Sequence, residues 1–329
     1  MPVSRRAFLA GCAALAVAAG ARRAQAQELV PIQVGYAPGL SALPLLTGVY
    51  LGMFASEGLA VDAEPDAKSS TLFSQLDEGV IHFAHTAIDN AIACDVGAGP
   101  AAVKSRDFVA ILGVDHGQLR LVARRGITRV AQLRGKTLAV DSLSMGYANA
   151  LRATLAAEGL ADDEYRLVAR GGMQQRASGL AARRFDATLL TPPFDLSLRA
   201  AGCMTLARVT DALGAYQGIS VVARRAWLHE NAGAAARYVH AYRMALEHAA
   251  SDKSGSIPLL ARALHVSPAV AAVSYDAAFK RSDGFCHNGT LDLAGIRTVL
   301  RLRARYAPPG GGDDPAPYIE PTIVAPQQA

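Results

Sequence analysis

Cysteine is scarce in this sequence, with four in 329 residues. Cys12 falls in an N-terminal leader, and Cys94, Cys203 and Cys286 show no pair at metal-binding or redox spacing. They allow one disulfide at most, with a thiol left over, and read more simply as small buried apolar residues. His82 and His85, three apart on a strand, point to opposite faces and make a poor metal pair; Asp115-His116 is short of a third ligand. G-x-G-x-x-G is absent, so Gly171-Gly172 is no dinucleotide fingerprint, and without G-x-S-x-G a hydrolase elbow has no support. No metal, cofactor or catalytic residue is therefore expected. Charged residues make up only 19% against 51% apolar, which affords a sizeable core and argues against wholesale disorder. No internal apolar run asks for a membrane span.

What is present begins with an address. Residues 4–9, Ser-Arg-Arg-Ala-Phe-Leu, resemble a twin-arginine export signal, a small-residue apolar run follows, and Ala24-Gln25-Ala26 supplies a cleavage site. The reading is a signal over 1–26 and a mature chain that starts near Gln27 in the periplasm. Leu9-Ala10-Gly11-Cys12 also spells a lipoprotein box, but the apolar run lies after the cysteine rather than before it. The leader takes four arginines and no acid, so the mature chain sets 29 basic residues against 28 acidic ones, a balance of +1. The basic composition therefore gives no reason to expect nucleic acid or a membrane surface as partner.

The stretch 32–62 sets the architecture. Ile32, Val34 and Tyr36 alternate, then Pro38-Gly39 breaks the strand. Leu43, Leu46, Val49, Tyr50 and Phe54 form one helical face, Gly58 supplies a left-handed stop, and a second extended piece follows. This strand–loop–helix–strand unit implies a parallel sheet with a crossover helix, and places the loop 36–41 where such sheets bind ligands. Further along, a helix is predicted over 68–76 and strands over 80–84, 108–114, 119–123 and 136–140. The opening pattern then recurs: a strand exits through residues 141–146 into a helix that closes on Ala157-Glu158-Gly159-Leu160, as the first helix closes on Ala55-Ser56-Glu57-Gly58-Leu59. Two similarly built lobes follow from that match. Strands at 165–169, 186–190, 205–209 and 219–223 continue the pattern, and 226–306 is helical. The last helix carries Arg301, Arg303 and Arg305 in its final turns, where the dipole favours cations.

Several segments together resemble a known family. Arg170-Gly171-Gly172, Arg176, Leu180, Phe185-Asp186-Ala187, Pro192-Pro193 and Gly202 look like the second-lobe signature of the nitrate/sulfonate/taurine and thiamine-precursor binding proteins. These are periplasmic solute-binding proteins of ABC transporters. Gly126-Ile127, Ala131-Gln132-Leu133-Arg134 and Gly135-Lys136 are similar to another segment of that family, with Gln132 where Asp is usual, and Tyr318-Ile319-Glu320 to its C-terminal element. The resemblance implies an α/β, two-lobed periplasmic-binding-protein fold of type II-like architecture, with the ligand cleft between lobes. Lobe one would span 27–117 plus 218–329 and lobe two 118–217. It implies a monomer that captures a small organic solute and delivers it to an inner-membrane ABC permease. Enzymes share this architecture, among them the fungal pyrimidine synthase and the chorismate dehydratase-like enzymes of menaquinone synthesis. The former uses adjacent cysteines with iron, a pattern missing here, and the export signal sets this chain apart from both. A periplasmic sensor subunit would look the same in sequence.

On this reading the pocket is built from strand exits, where loops present free backbone N–H groups at helix starts beside small hydroxyls. The first lobe would supply Tyr36, Leu40, Ser41, Ser69, His85, Thr86, Asp89 and Asp115. The second would supply Ser142, Ser144, Tyr147, Gly172, Met173, Thr191 and Phe194. A helix terminus contributes about 0.3–1 kcal/mol, whereas micromolar affinity needs about 8 kcal/mol, so stacking area or a cation must help. Tyr36, Tyr147 and Phe194 offer the stacking area. Lys68, Arg170 and Arg176 are nearby cations that read as solvated charges. Asp89 and Asp115 would oppose a small anion, which favours an organic solute with a ring or amine over nitrate or bicarbonate.

Overall fold

In the computed structural model, which describes residues 28–66, 68–143, 146–307 and 312–320, the chain builds two five-stranded sheets. The export signal and Ser144 lie outside the described residues. The first pass gives β1 (Val30–Tyr36), α1 (Leu43–Tyr50), α2 (Met53–Ser56), β2 (Leu59–Pro65), α3 (Ser69–Asp77), β3 (Phe83–Ala87), α4 (Ile88–Asp95) and β4 (Phe108–Gly113). The second set comprises β5 (Arg120–Ala123), β6 (Thr137–Val140), α5 (Gly146–Ala157), β7 (Arg166–Ala169), α6 (Met173–Ala181), β8 (Ala187–Leu190), α7 (Phe194–Ser197), β9 (Met204–Arg208) and α8 (Val209–Leu213). The chain returns through β10 (Ile219–Arg224) and closes with α9 (Arg225–Glu230), α10 (Ala232–Ser251), α11 (Lys253–Leu264), α12 (Pro268–Lys280) and α13 (Leu293–Tyr306).

Strand order is β2-β1-β3-β10-β4 in one sheet and β7-β6-β8-β5-β9 in the other. β1 pairs in parallel with both β2 and β3, as its helical crossovers require. β10 runs antiparallel to β3 and β4, and β5 runs antiparallel to β8 and β9. Both strands begin at a crossing between the sheets, so each enters beside the end of a parallel neighbour and must run against it. Ile219 opposite Ala87 and Arg120 opposite Leu190 record that entry. The central strand β3 and the edge strand β4 are both buried at every residue, β4 being covered by the segment at Ile319-Glu320, while the opposite edge strand β2 turns Asp62 and Glu64 outward.

Two elements depart from the sequence reading. The first helix breaks at Gly52, whose φ of 70° is left-handed, leaving α1 and α2. The strand expected over 80–84 forms three residues later, because the amides of Val80 and Ile81 donate to the carbonyl of Gln75 and complete the turn after α3. Helix starts are fixed by side chains where the chain must turn sharply. Asp252 accepts from the Gly255 N–H, Ser267 from that of Val270 ahead of Pro268, and Asp292 from that of Gly295.

The last helix does more than the dipole reading allowed. α13 packs on α4 beside the first sheet and on α5 beside the second, so one apolar cluster runs from Ile88 and Ile92 through Ile296, Val299 and Leu300 to Leu151 and Leu155. Arg303 is fully buried in it and makes a two-pronged ion pair with Asp89, Nε to Oδ1 at 2.9 Å and Nη2 to Oδ2 at 2.6 Å. Breaking a buried pair from one side leaves an uncompensated charge, so Arg303→Met should lower unfolding free energy by about 3–5 kcal/mol in urea titrations. Asp89→Asn combined with Arg303→Met should recover part of that loss.

Candidate functional site

The exits of β1, β3, β6 and β8 face one another across a cavity lined by residues of both sheets. From the first come Pro38, Gly39 and Ser41 after β1, Ser69 at the start of α3, Thr86 and Ala87 at the end of β3, and Asn90 in α4. From the second come Asp141 after β6, Tyr147 in α5, Gly172, Met173, Gln174 and Arg176 at the start of α6, and Thr191 and Phe194 after β8. The inner cavity encloses about 70 Å³. It adjoins an outer one of about 370 Å³ lined by Lys68, Ser70, Gly99, Pro100 and Ser142, and the two share Ser69, Asp141 and Gly172. A backbone hydrogen bond from Leu40 N to Pro192 O, 3.4 Å, spans the gap between the two sides.

Of the residues singled out in the sequence, Ser41, Ser69, Thr86, Tyr147, Gly172, Met173, Thr191 and Phe194 line the inner cavity, and Ser142 lines the outer one. Five do not line either. Tyr36 is the last residue of β1, paired with Pro65 and His85, and its ring joins the core of the first sheet. Leu40 packs the other way, against Leu43, Leu260 and Tyr275. His85 lies within β3 rather than at its exit; its Nε2 is 2.8 Å from the Tyr238 hydroxyl, and burial pushes its pKa down to about 3, which keeps the ring neutral. Asp89 is spent on Arg303. Asp115 stands one shell behind the cavity. Its fully buried carboxylate accepts from the Ser41 hydroxyl, from Gly117 N at 2.8 Å and from Ile219 N at 3.3 Å. Burial raises its pKa, and those three donors pull it back.

The sequence reading missed Asn90 and Asp141 and misjudged Arg176. Asn90 stands four residues after Thr86 and donates to its hydroxyl at 3.2 Å, an i, i+4 relation that was available in the sequence. Asp141 is the neighbour of Ser142, so the exit was recognised but not which of its residues turns inward. Arg176 is 1% exposed, where a solvated charge was expected. Nη1 donates to Gly171 O at 2.9 Å and Nη2 to Leu189 O at 3.2 Å, and Nη1 lies 3.8 Å from Asp141 Oδ1. Burial lowers its pKa, against the pull of Asp141 and Tyr147. Burial also holds the Tyr147 phenol well above its usual value, with Asp115, Tyr216 and Asp141 adding to the effect. The three cysteines are free and buried, and among the described residues no three His, Cys, Asp or Glu side chains are grouped to hold a metal ion. No single helix among those residues is long and apolar enough to cross a membrane.

Two sheets with strand ends facing across a shared cavity define a two-lobed α/β binding fold. The model of the NMT1/THI5-like family matches residues 41–254, and the chain belongs to that family. Its fold is that of the alkanesulfonate-binding protein SsuA of Xanthomonas axonopodis pv. citri bound to MOPS, with a TM-score of 0.73 and 17% identity over 89% of this chain and 99% of that one. It is likewise similar to the periplasmic nitrate-binding protein NrtA of Synechocystis PCC 6803, with a TM-score of 0.74 and 14% identity over 88% and 85%. The ligand-binding component of an ABC-type import system from Staphylococcus aureus, solved with zinc bound, gives a TM-score of 0.74 and 15% identity over 90% and 98%. No curated protein sequence matches the chain.

The separation of Phe194 from Tyr36 yields a test. Phe194→Ala should cost about 1–3 kcal/mol of solute binding by titration calorimetry, the scale for losing an aromatic contact, and leave the melting temperature of the free protein near wild type. Tyr36→Ala, which opens a hole in the core, should instead lower stability by about 3 kcal/mol.

Proposed function

We propose that this chain is the extracytoplasmic substrate-binding protein of an ABC importer. It is a monomer of the periplasm that takes a small organic solute between lobes 27–117 plus 218–329 and 118–217 and delivers it to an inner-membrane permease. The observation that carries the reading is the cavity lined from both sheets, because a solute seated there touches the loops after β1 and β3 and those after β6 and β8 together. Binding energy gained only when both sides meet selects the closed arrangement, which is the state a permease would read. The export signal in the sequence and the family to which the chain belongs support the same conclusion.

The solute is proposed to leave chemically unchanged. His85 is held inside the core by Tyr238, and Cys94 and Cys203 are packed in apolar clusters. Cys286 is buried beside Gln217. The test is mass spectrometry of small molecules released from the purified mature protein, followed by incubation of the identified solute with fresh protein. Recovery of one intact solute per chain is expected. Its conversion to a product would overturn the transport reading.

A further inference from the structure

Arg120 is a buried cation at the boundary between the two sides of the molecule, and a carboxylate from each side converges on it. It opens β5 in the second sheet, just past the outgoing crossing. Asp283 follows α12 on the first side, in the segment whose Gly284 carbonyl accepts from His116 N. Asp195 lies in α7 on the second side, next to Phe194 of the cavity lining. Helices α7 and α12 meet across the boundary. Arg120, Asp283 and Asp195 are 5%, 1% and 6% exposed, so all three charges are cut off from water.

Neither carboxylate is fully satisfied. Arg120 Nη1 stands 2.7 Å from Asp283 Oδ2, but as an ion contact without hydrogen-bond alignment, and Oδ2 is left with no hydrogen-bond partner. The other oxygen of Asp283 is held by Arg281 of its own segment, Nε to Oδ1 at 3.2 Å. Asp195 Oδ1 has no partner either. Burial raises the pKa of Asp195, and Arg120 is the neighbour that offsets this most. The guanidinium donates from Nη1 to the Leu119 carbonyl at 3.4 Å, which leaves further N–H groups to give. One guanidinium between two under-satisfied carboxylates has two available pairings, and passing from one to the other never strands the buried cation. The pairings differ in what they tie together. Asp283 joins Arg120 to the first side, whereas Asp195 keeps it within the second.

We propose that Arg120 is a two-position switch of lobe closure: paired with Asp283 it holds the two sides together, the arrangement in this structure, and paired with Asp195 it lets them part. Solute then acts on an equilibrium that this exchange has already set, so Asp195 and Asp283 tune affinity from outside the cavity. The inference rests on reading the two sides as lobes that close on a solute.

Pulsed electron paramagnetic resonance on solute-free mature protein tests it, with spin labels on cysteines introduced at the exposed positions Ala101 and Gln175. Asp283→Asn should move population towards the longer distance and Asp195→Asn towards the shorter, each changing the ratio of the two by at least about threefold. Opposite directions are what a switch requires; a static brace would loosen in both variants or in neither. Asp195→Asn keeps the Arg120–Asp283 contact, and it decides alone if Asp283→Asn does not fold. A folded variant that leaves the ratio unmoved, or two shifts in one direction, would overturn the proposal. Solute recovery from the purified wild-type protein does not depend on either variant, so the binding-protein reading stands or falls separately.

Discussion

The carboxylate of Asp115 is buried where the chain passes between its two sheets, and the geometry of the cleft follows from how that charge is satisfied. Its side chain takes hydrogen bonds from Ser41 in the loop after β1, from Gly117 in the outgoing crossing and from Ile219 in the returning one. Its backbone carbonyl accepts from Gly218 N and from the side chain of Gln217. Gln217 in turn accepts from Asp292 N, which ties in the start of α13. A buried carboxylate that lost these donors would pay its full desolvation cost, so the three segments are held in one arrangement. Space is equally constrained: a Cβ on Gly218 would stand 2.2 Å from the Asp115 carboxylate. Glycine is required there by close approach.

From that point the rest of the cleft can be followed outward. Ser41 is fixed by Asp115, so the loop 37–41 is set on the first side before any solute arrives. On the second side Arg176 performs the matching role, buried and donating to Gly171 and Leu189, which holds the start of α6 against the end of β8. The cavity walls are therefore two surfaces, each braced from behind by a buried charged group. α13 joins the two sides, because its apolar face is shared between α4 and α5 and its Arg303 is anchored to Asp89.

Much of this was legible in the residues. The alternation at Ile32, Val34 and Tyr36 and the helix stop at Gly58 marked the first unit, and the recurrence of the same ending at Ala157-Glu158-Gly159-Leu160 marked the second. The strand exits were recognised for the same reason, since loops between an apolar run and a helix start are easy to find. What could not be read was direction. In β3 a two-residue alternation leaves either His85 or Thr86 facing the cleft, and only the Tyr238 hydroxyl, 153 residues away, decides that His85 turns to the core. Asp89 and Arg303 lie 214 residues apart, so nothing local distinguishes Asp89 from a solvent-facing or ligand-facing acid. Arg176 was misjudged for the same reason: its partners are backbone carbonyls, which leave no trace in the sequence.

The central claim is that solute draws the two lobes together around the crossing at Asp115. Because Cys94, Cys203 and Cys286 are buried, spin labels can be directed to cysteines introduced at the exposed positions Ala101 and Gln175, one on each side of the cleft. Pulsed electron paramagnetic resonance then measures the distance between them with and without the solute recovered from the purified protein. A shorter and narrower distance distribution in the bound state is the predicted result. A distribution unchanged by saturating solute would mean that binding does not engage both lobes, and the account would be wrong.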